Sequence, residues 1–500
     1  MARLNGPCCC KEVVLCYVKS AHRPPSLRMR KAPVVKMPSS LTLLLFLCLS
    51  AATPAALADS TIAVTNHESG STVRYSVVLL EGTIPSDAGP LTIENLNAPE
   101  YAEPVRVVQH EGKFRALVEL GKGRNRIRLS TEQQTEPLEF VLKYQLQTNP
   151  HYVRLIWMTD KSGDTTYATP TSDTPQDYEN RLRTAALLMQ CFTAERMNQL
   201  GYGHRTFRLE RDRDGKVIVH TWAGGRTMEE YHAMPDDQFW WRDVYRWIDE
   251  EHPDPLAKNC VLAAYTRKDP ATGQLKSHTA LGGGNLGLFG SASVFSWPTS
   301  IGSAADTFLD ESRFDSTQVH DDSVGRSTYW GLSSTTIGAT LHEMGHTFGL
   351  PHTTDRYDIM TRGFDHFNRC FTYCDPVSGT NGQPIYFRPN QEAYFAPVSA
   401  SYLRWSPWFQ LDRPTGASTR PDIQLTDTGV TITCKSGIPW VGIHVGGDIH
   451  HHEEQDARRP PKKLELTFEQ IREMVGGKQP SRLRAISTSG QEAAVNLPNG

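Results

Sequence analysis

Little charge imbalance, few cysteines and only one long apolar run mark this chain, and each shortage excludes something. Its 52 basic and 55 acidic side chains nearly cancel. No basic stripe with interleaved aromatics stands out, so nucleic acid is not an expected partner. Ten cysteines in 500 residues are too few for a disulfide-built scaffold. Half of them precede residue 59. The five that follow (Cys191, Cys260, Cys370, Cys374 and Cys434) are odd in number, so at least one stays unpaired. Cys370 and Cys374 are near enough to bridge if the chain between them is a loop. The apolar run, Leu41 to Leu49, is too short for the ~20 residues of a bilayer span. Arg28, Arg30, Lys31 and Lys36 precede it and Ala56-Leu57-Ala58 follows, the layout of an export signal. The expectation is a signal peptide ending at Ala58, preceded by a non-functional extension if translation starts at Met37. The mature chain is then exported and has no membrane span.

The length allows two to four domains. From residue 59 to 148, short strands alternate with turn signals, as in Val73–Leu80, Val105–Gln109, Phe114–Leu120 and Leu138–Tyr144. This pattern predicts an Ig-like β-sandwich that serves as a spacer or packing partner. Residues 149–412 read as an α+β catalytic unit. Val153–Met158 is a buried strand, and 176–200 is a helix with Leu182, Ala186, Met189, Met197 and Leu200 on one stripe. Asp214-Gly215 is a hairpin signal between 207–210 and 217–221, and a Trp-rich helix covers 237–250. Val261–Tyr265 is another strand. Residues 363–412 carry few periodic signals. From 413 to 500 a small β-rich domain is expected, with strands at Val430–Thr433 and Trp440–Val445.

What the chain does have is concentrated between Thr335 and Met360. His342, Glu343, His346, Gly349 and His352 stand in the order His-Glu-x-x-His-x-x-Gly-x-x-His. On a helix, positions i and i+4 share a face, so His342 and His346 can reach one ion. Gly349 can adopt positive φ, end the helix and turn the chain back so that His352 approaches from the other side. Three imidazoles and an open fourth position suit a catalytic zinc. A bare His-Glu-x-x-His would be much weaker evidence.

Two other stretches invite metal or phosphate readings. The glycines of Leu281–Trp297 lack a Gly-Lys-Ser/Thr ending and Rossmann spacing, so they are not a nucleotide loop. They suit a cleft wall, an edge strand that pairs with extended substrate. His450, His451 and His452 are adjacent, point different ways and are expected in a solvated loop.

The histidine pattern, followed by Asp358-Ile359-Met360, resembles the metzincin signature of zinc metalloendopeptidases. The runs GGGNLGLFGS and DIMTRGFDHFNR are similar to those of a little-characterised metallopeptidase family. The resemblance implies a metzincin-like fold with Zn2+ as cofactor on His342, His346 and His352. It further implies a zinc-activated water with Glu343 as general base and acid, Met360 as a packing floor, and a protein or peptide substrate. There are departures. Arg362 stands where many metzincins have Tyr, leaving Arg362 and Tyr357 as oxyanion candidates, and Thr353 matches none of the familiar subfamilies. No cysteine switch precedes the catalytic unit. Two rival readings exist: His342 and His346 with a distant Glu392 as third ligand, and an adhesin or carbohydrate-binding protein with an inactive zinc fold.

Overall fold

The computed structural model describes residues 61–498 apart from 98–102, 134–135, 172, 270 and 414–417. The expected leader and its extension lie outside these residues. Among the described residues no helix is long and apolar enough to cross a membrane.

Two four-stranded sheets lie between residues 63 and 144. Their inward side chains, including Val78, Leu80, Phe114, Val118, Ile127, Leu129 and Leu142, form one core. Strand residues alternate between this core and the outer face, as in Leu138–Tyr144.

The centre of the molecule is a five-stranded sheet in the order Val219–Ala223, Tyr152–Thr159, Ala257–Ala263, Leu286–Gly290, Ala280–Gly283. The first four strands are parallel and the last is antiparallel. Tyr152–Thr159 is buried on both faces, which explains its near-continuous apolar run. Leu155 and Trp157 pack toward the helix Tyr178–Gln199. Ile156 and Met158 face Trp240, Trp241, Val244 and Ile248 of the helix Asp237–Glu251. The expected hairpin at Asp214-Gly215 forms but is short: an antiparallel Arg211–Val217 bridge joins its arms, with Asp212 N–H donating to the Lys216 carbonyl and Ile218 N–H to the Glu210 carbonyl. Residues 219–223 pair instead in parallel with the central strand.

Helix Tyr178–Gln199 is buried from Thr184 to Met197 on every side, not along a single stripe. The cause is its position: the sandwich covers one flank, where Tyr75 and Asn66 reach Glu195, and the sheet and the histidine helix cover the other. All five described cysteines are free thiols. Cys370 ends a 3-10 helix while Cys374 begins a strand, so the bridge considered above does not form.

The C-terminal part holds a three-stranded and a four-stranded sheet. His450, His451 and His452 belong to the strand Asp448–Glu454, paired with Trp440–Val445, and not to a loop. Three like residues in a row hid the alternation that would have marked a strand. Trp440 is fully buried and donates its indole N–H to Ser401 at 2.9 Å, tying this sheet to the catalytic unit.

Candidate metal centre

The histidine helix runs from Tyr329 to Thr347. Thr328 caps it by accepting from Gly331 N–H. Serine, threonine and glycine make it slim, and it is buried almost throughout, so it lies deep against the sheet. Gly282 of the edge strand backs directly onto the Glu343 carbonyl, leaving no room for a side chain. The glycine-rich stretch is therefore a strand-turn-strand unit beside the helix, with its outer strand at the sheet's edge.

The helix stops at Thr347, and Gly349 takes φ +93°. That turn brings His352 back toward the helix. Nε2 of His346 lies 3.1 Å from Nε2 of His342 and 3.2 Å from Nε2 of His352, and the last pair is also 3.2 Å apart. For the same pairs in that order, the ring planes are inclined at 88°, 75° and 32°. His342 Nδ1 lies 2.7 Å from the Ile359 carbonyl, and His346 Nδ1 lies 2.8 Å from the Leu350 carbonyl. A carbonyl only accepts, so both Nδ1 atoms carry the proton and both Nε2 atoms present lone pairs. Neutral imidazoles arranged this way repel one another unless a cation lies between them. Ligand nitrogens around tetrahedral zinc stand about 3.3–3.4 Å apart for bonds of about 2.0–2.1 Å, so the donor set and spacing fit.

The electrostatics favour the neutral, ligating form. Burial, then the facing His346, hold His342 well below the ordinary imidazole range, and burial lowers His346 to about 4. Burial also lowers His352, opposed by the Asp448 carboxylate. Burial alone pushes the Glu343 carboxyl up to about 8.

Met360 is fully buried with its sulfur against Gly345 of the histidine helix. Asp358 holds this turn, accepting from Met360 N–H at 3.1 Å and from the Thr353 hydroxyl at 2.6 Å. The Arg362 guanidinium pairs with Asp365 at 2.7 Å and covers the Phe364 ring, which lies 5.3 Å from the His342 ring. Tyr357 packs against His366. Glu392 is not a third ligand: it is buried between Arg115 at 2.7 Å and Arg196 at 2.9 Å, joining sandwich and helix.

Sequence reasoning missed one support. Arg484, from the C-terminal sheet, donates to the Gly349 carbonyl at 3.0 Å while its fork holds Glu492 at 2.7 and 2.8 Å. Glu492 also accepts from Tyr402 at 2.7 Å. A lone arginine in a strand carries no local signal for this clamp.

A family model described as "Putative peptidase family" matches residues 61–439. The chain belongs to this peptidase family. It is 32% identical over 467 residues to a protein of Schizosaccharomyces pombe named "Putative zinc metalloproteinase", covering 86% of this chain and 73% of that one. A Saccharomyces cerevisiae protein of the same description is 27% identical over 368 residues, covering 64% of this chain and 52% of its own length. Among solved structures, wild-type OgpA from Akkermansia muciniphila aligns at 16% identity with a TM-score of 0.40, covering 71% of this chain and 94% of OgpA.

Proposed function

We propose that this chain is a zinc-dependent endopeptidase of the metzincin type, exported by its N-terminal leader, that hydrolyses protein or peptide substrates. One observation carries the reading: three Nε2 atoms converge at 3.1–3.2 Å with two tautomers set by carbonyls, beside a buried carboxylate. His342, His346 and His352 hold the zinc. When bound, zinc supplies Lewis-acid polarisation of the scissile carbonyl and of the attacking water.

Glu343 follows His342 on the helix, so its carboxylate is offset from the ligand face. It takes a proton from the attacking water and returns it to the leaving amine. Burial is the one cause acting on its carboxyl, and it pushes the group above the ordinary carboxylate range. Met360 is the floor beneath the ligands and exchanges no proton. The edge strand Ala280–Gly283 ends the order of its sheet, so its outer main-chain groups are placed to pair with an extended substrate. Arg362 and Tyr357 are the candidates for stabilising a developing oxyanion.

The test uses the full chain, purified and loaded with zinc, on denatured casein. Wild type cleaves. Glu343→Gln retains zinc and stops cleaving, and His346→Ala loses zinc from the centre together with cleavage. Zinc-loaded wild type that leaves every peptide bond intact, or a Glu343→Gln protein as active as wild type, overturns the reading. Export is tested separately: the secreted protein begins at Asp59.

A further inference from the structure

Outside the centre just described, two more groups of histidine and carboxylate converge among the described residues. In His67, Glu195 and His204, the imidazoles are stacked 4.0 Å apart with only 9° between their planes. An imidazole lone pair lies in the plane of its ring, and two parallel planes cannot both contain one ion. That group is a buried charge cluster.

His278, His320 and Asp322 are arranged differently. The two rings stand 5.2 Å apart and 59° inclined, within the 4.7–5.2 Å and 32–88° spanned by His342, His346 and His352. Asp322 places Oδ2 3.7 Å from His278 Nε2 and Oδ1 3.9 Å from His320 Nε2. Both separations exceed hydrogen-bonding distance, so the three groups face one another without satisfying one another.

We propose that His278, His320 and Asp322 form a second metal site, for a divalent d-block cation such as zinc. Two imidazoles and one carboxylate are a donor set for zinc and not for calcium or magnesium, which call for oxygen ligands. Asp322 lies two residues after His320, and its two oxygens face one imidazole each. Side-chain exposures of 15%, 33% and 38% leave the site open, so water completes the coordination and the ion exchanges with solvent.

The site's position gives it a role. His278 lies just ahead of the edge strand Ala280–Gly283. His320 and Asp322 lie in the irregular segment that leads to the histidine helix at Tyr329. A shared ion cross-links these two segments and fixes the strand whose Gly282 backs onto Glu343. The site therefore braces the cleft wall. It stands whether or not the chain hydrolyses peptides.

The test is a metal count by mass spectrometry on the full chain, stripped, equilibrated in buffered zinc and desalted. Wild type is expected to carry two equivalents, with one remaining in His346→Ala and one in His320→Ala. Stripped His346→Ala titrated with Co2+ is expected to develop visible d–d absorption that His320→Ala/His346→Ala lacks. If His320→Ala does not fold, Asp322→Asn takes its place and the residual equivalent in His346→Ala still decides. One equivalent in wild type with none in His346→Ala, or no cobalt spectrum in His346→Ala, overturns the proposal.

Discussion

His342, His346 and His352 on one side, and His67, Glu195 and His204 on the other, put nearly the same side chains to opposite uses. In the first group each ring is turned against its neighbours, and two of the far nitrogens are anchored to backbone carbonyls. The lone pairs meet at a point. In the second, the two rings lie flat on each other and both Nε2 atoms stand 3.4 Å from the same Glu195 oxygen. Asn66 and Tyr75 complete the carboxylate's shell at 3.0 and 3.2 Å. The first group is organised to receive a cation, the second to neutralise an anion where the sandwich meets the helix Tyr178–Gln199. Ring orientation separates the two, and a list of residue types does not.

Substitutions can break this contrast. The largest effect is expected from Glu343→Gln, which should lower kcat/KM on a peptide substrate about 10²–10⁴-fold while metal content stays at the wild-type value. Glu195→Gln should do the reverse. It leaves metal content and hydrolysis in place but removes the carboxylate that accepts from Asn66 and Tyr75, costing about 1–3 kcal/mol of stability in urea unfolding at neutral pH. The pH dependence has a definite sign. Burial alone would raise the Glu195 carboxyl, but the facing His204 and His67 hold it well below the usual carboxylate range. A depressed carboxylate pKa gives stability that is present above the unfolded value of about 4.3 and is lost as pH falls through the folded one. Wild type should therefore lose stability below about pH 4 more steeply than Glu195→Gln, measured by urea titration across that range.

Smaller effects sharpen the comparison further. Arg484→Met removes the donor to the Gly349 carbonyl and leaves Glu492 without its guanidinium. Metal affinity at the histidine centre should drop about 10–100-fold in competition with a chelator, because the turn that delivers His352 loses its support. Met360→Leu keeps volume and apolar character, so it should cost under about 1.5 kcal/mol in thermal unfolding and leave hydrolysis nearly unchanged. A loss as large as that of Glu343→Gln would mean the sulfur does more than fill space.

Features set by nearest neighbours could be read before any fold was known. The spacing of His342, His346, Gly349 and His352 depends on helix pitch and one glycine turn, and both are local. The buried strand at Tyr152–Thr159 and the helix at Tyr178–Gln199 announced themselves by unbroken apolar character and helical period. Features that depend on distant segments stayed hidden. Glu392 looked like a possible ligand until Arg115 and Arg196 were seen to claim both of its oxygens. Arg484 reaches Gly349 across 135 residues of sequence. His450 to His452 read as a loop because their strand is defined by pairing with Trp440–Val445 and not by alternation of their own.

A single ion held by three imidazoles through Nε2, next to Glu343, would be visible directly. Diffraction data collected on either side of the zinc absorption edge, from crystals of the Glu343→Gln protein, test it directly. An anomalous peak is expected at the point bounded by Nε2 of His342, His346 and His352, with their Nδ1 atoms turned away. No peak at that point, or a peak whose coordination is closed by a fourth side chain, would contradict it.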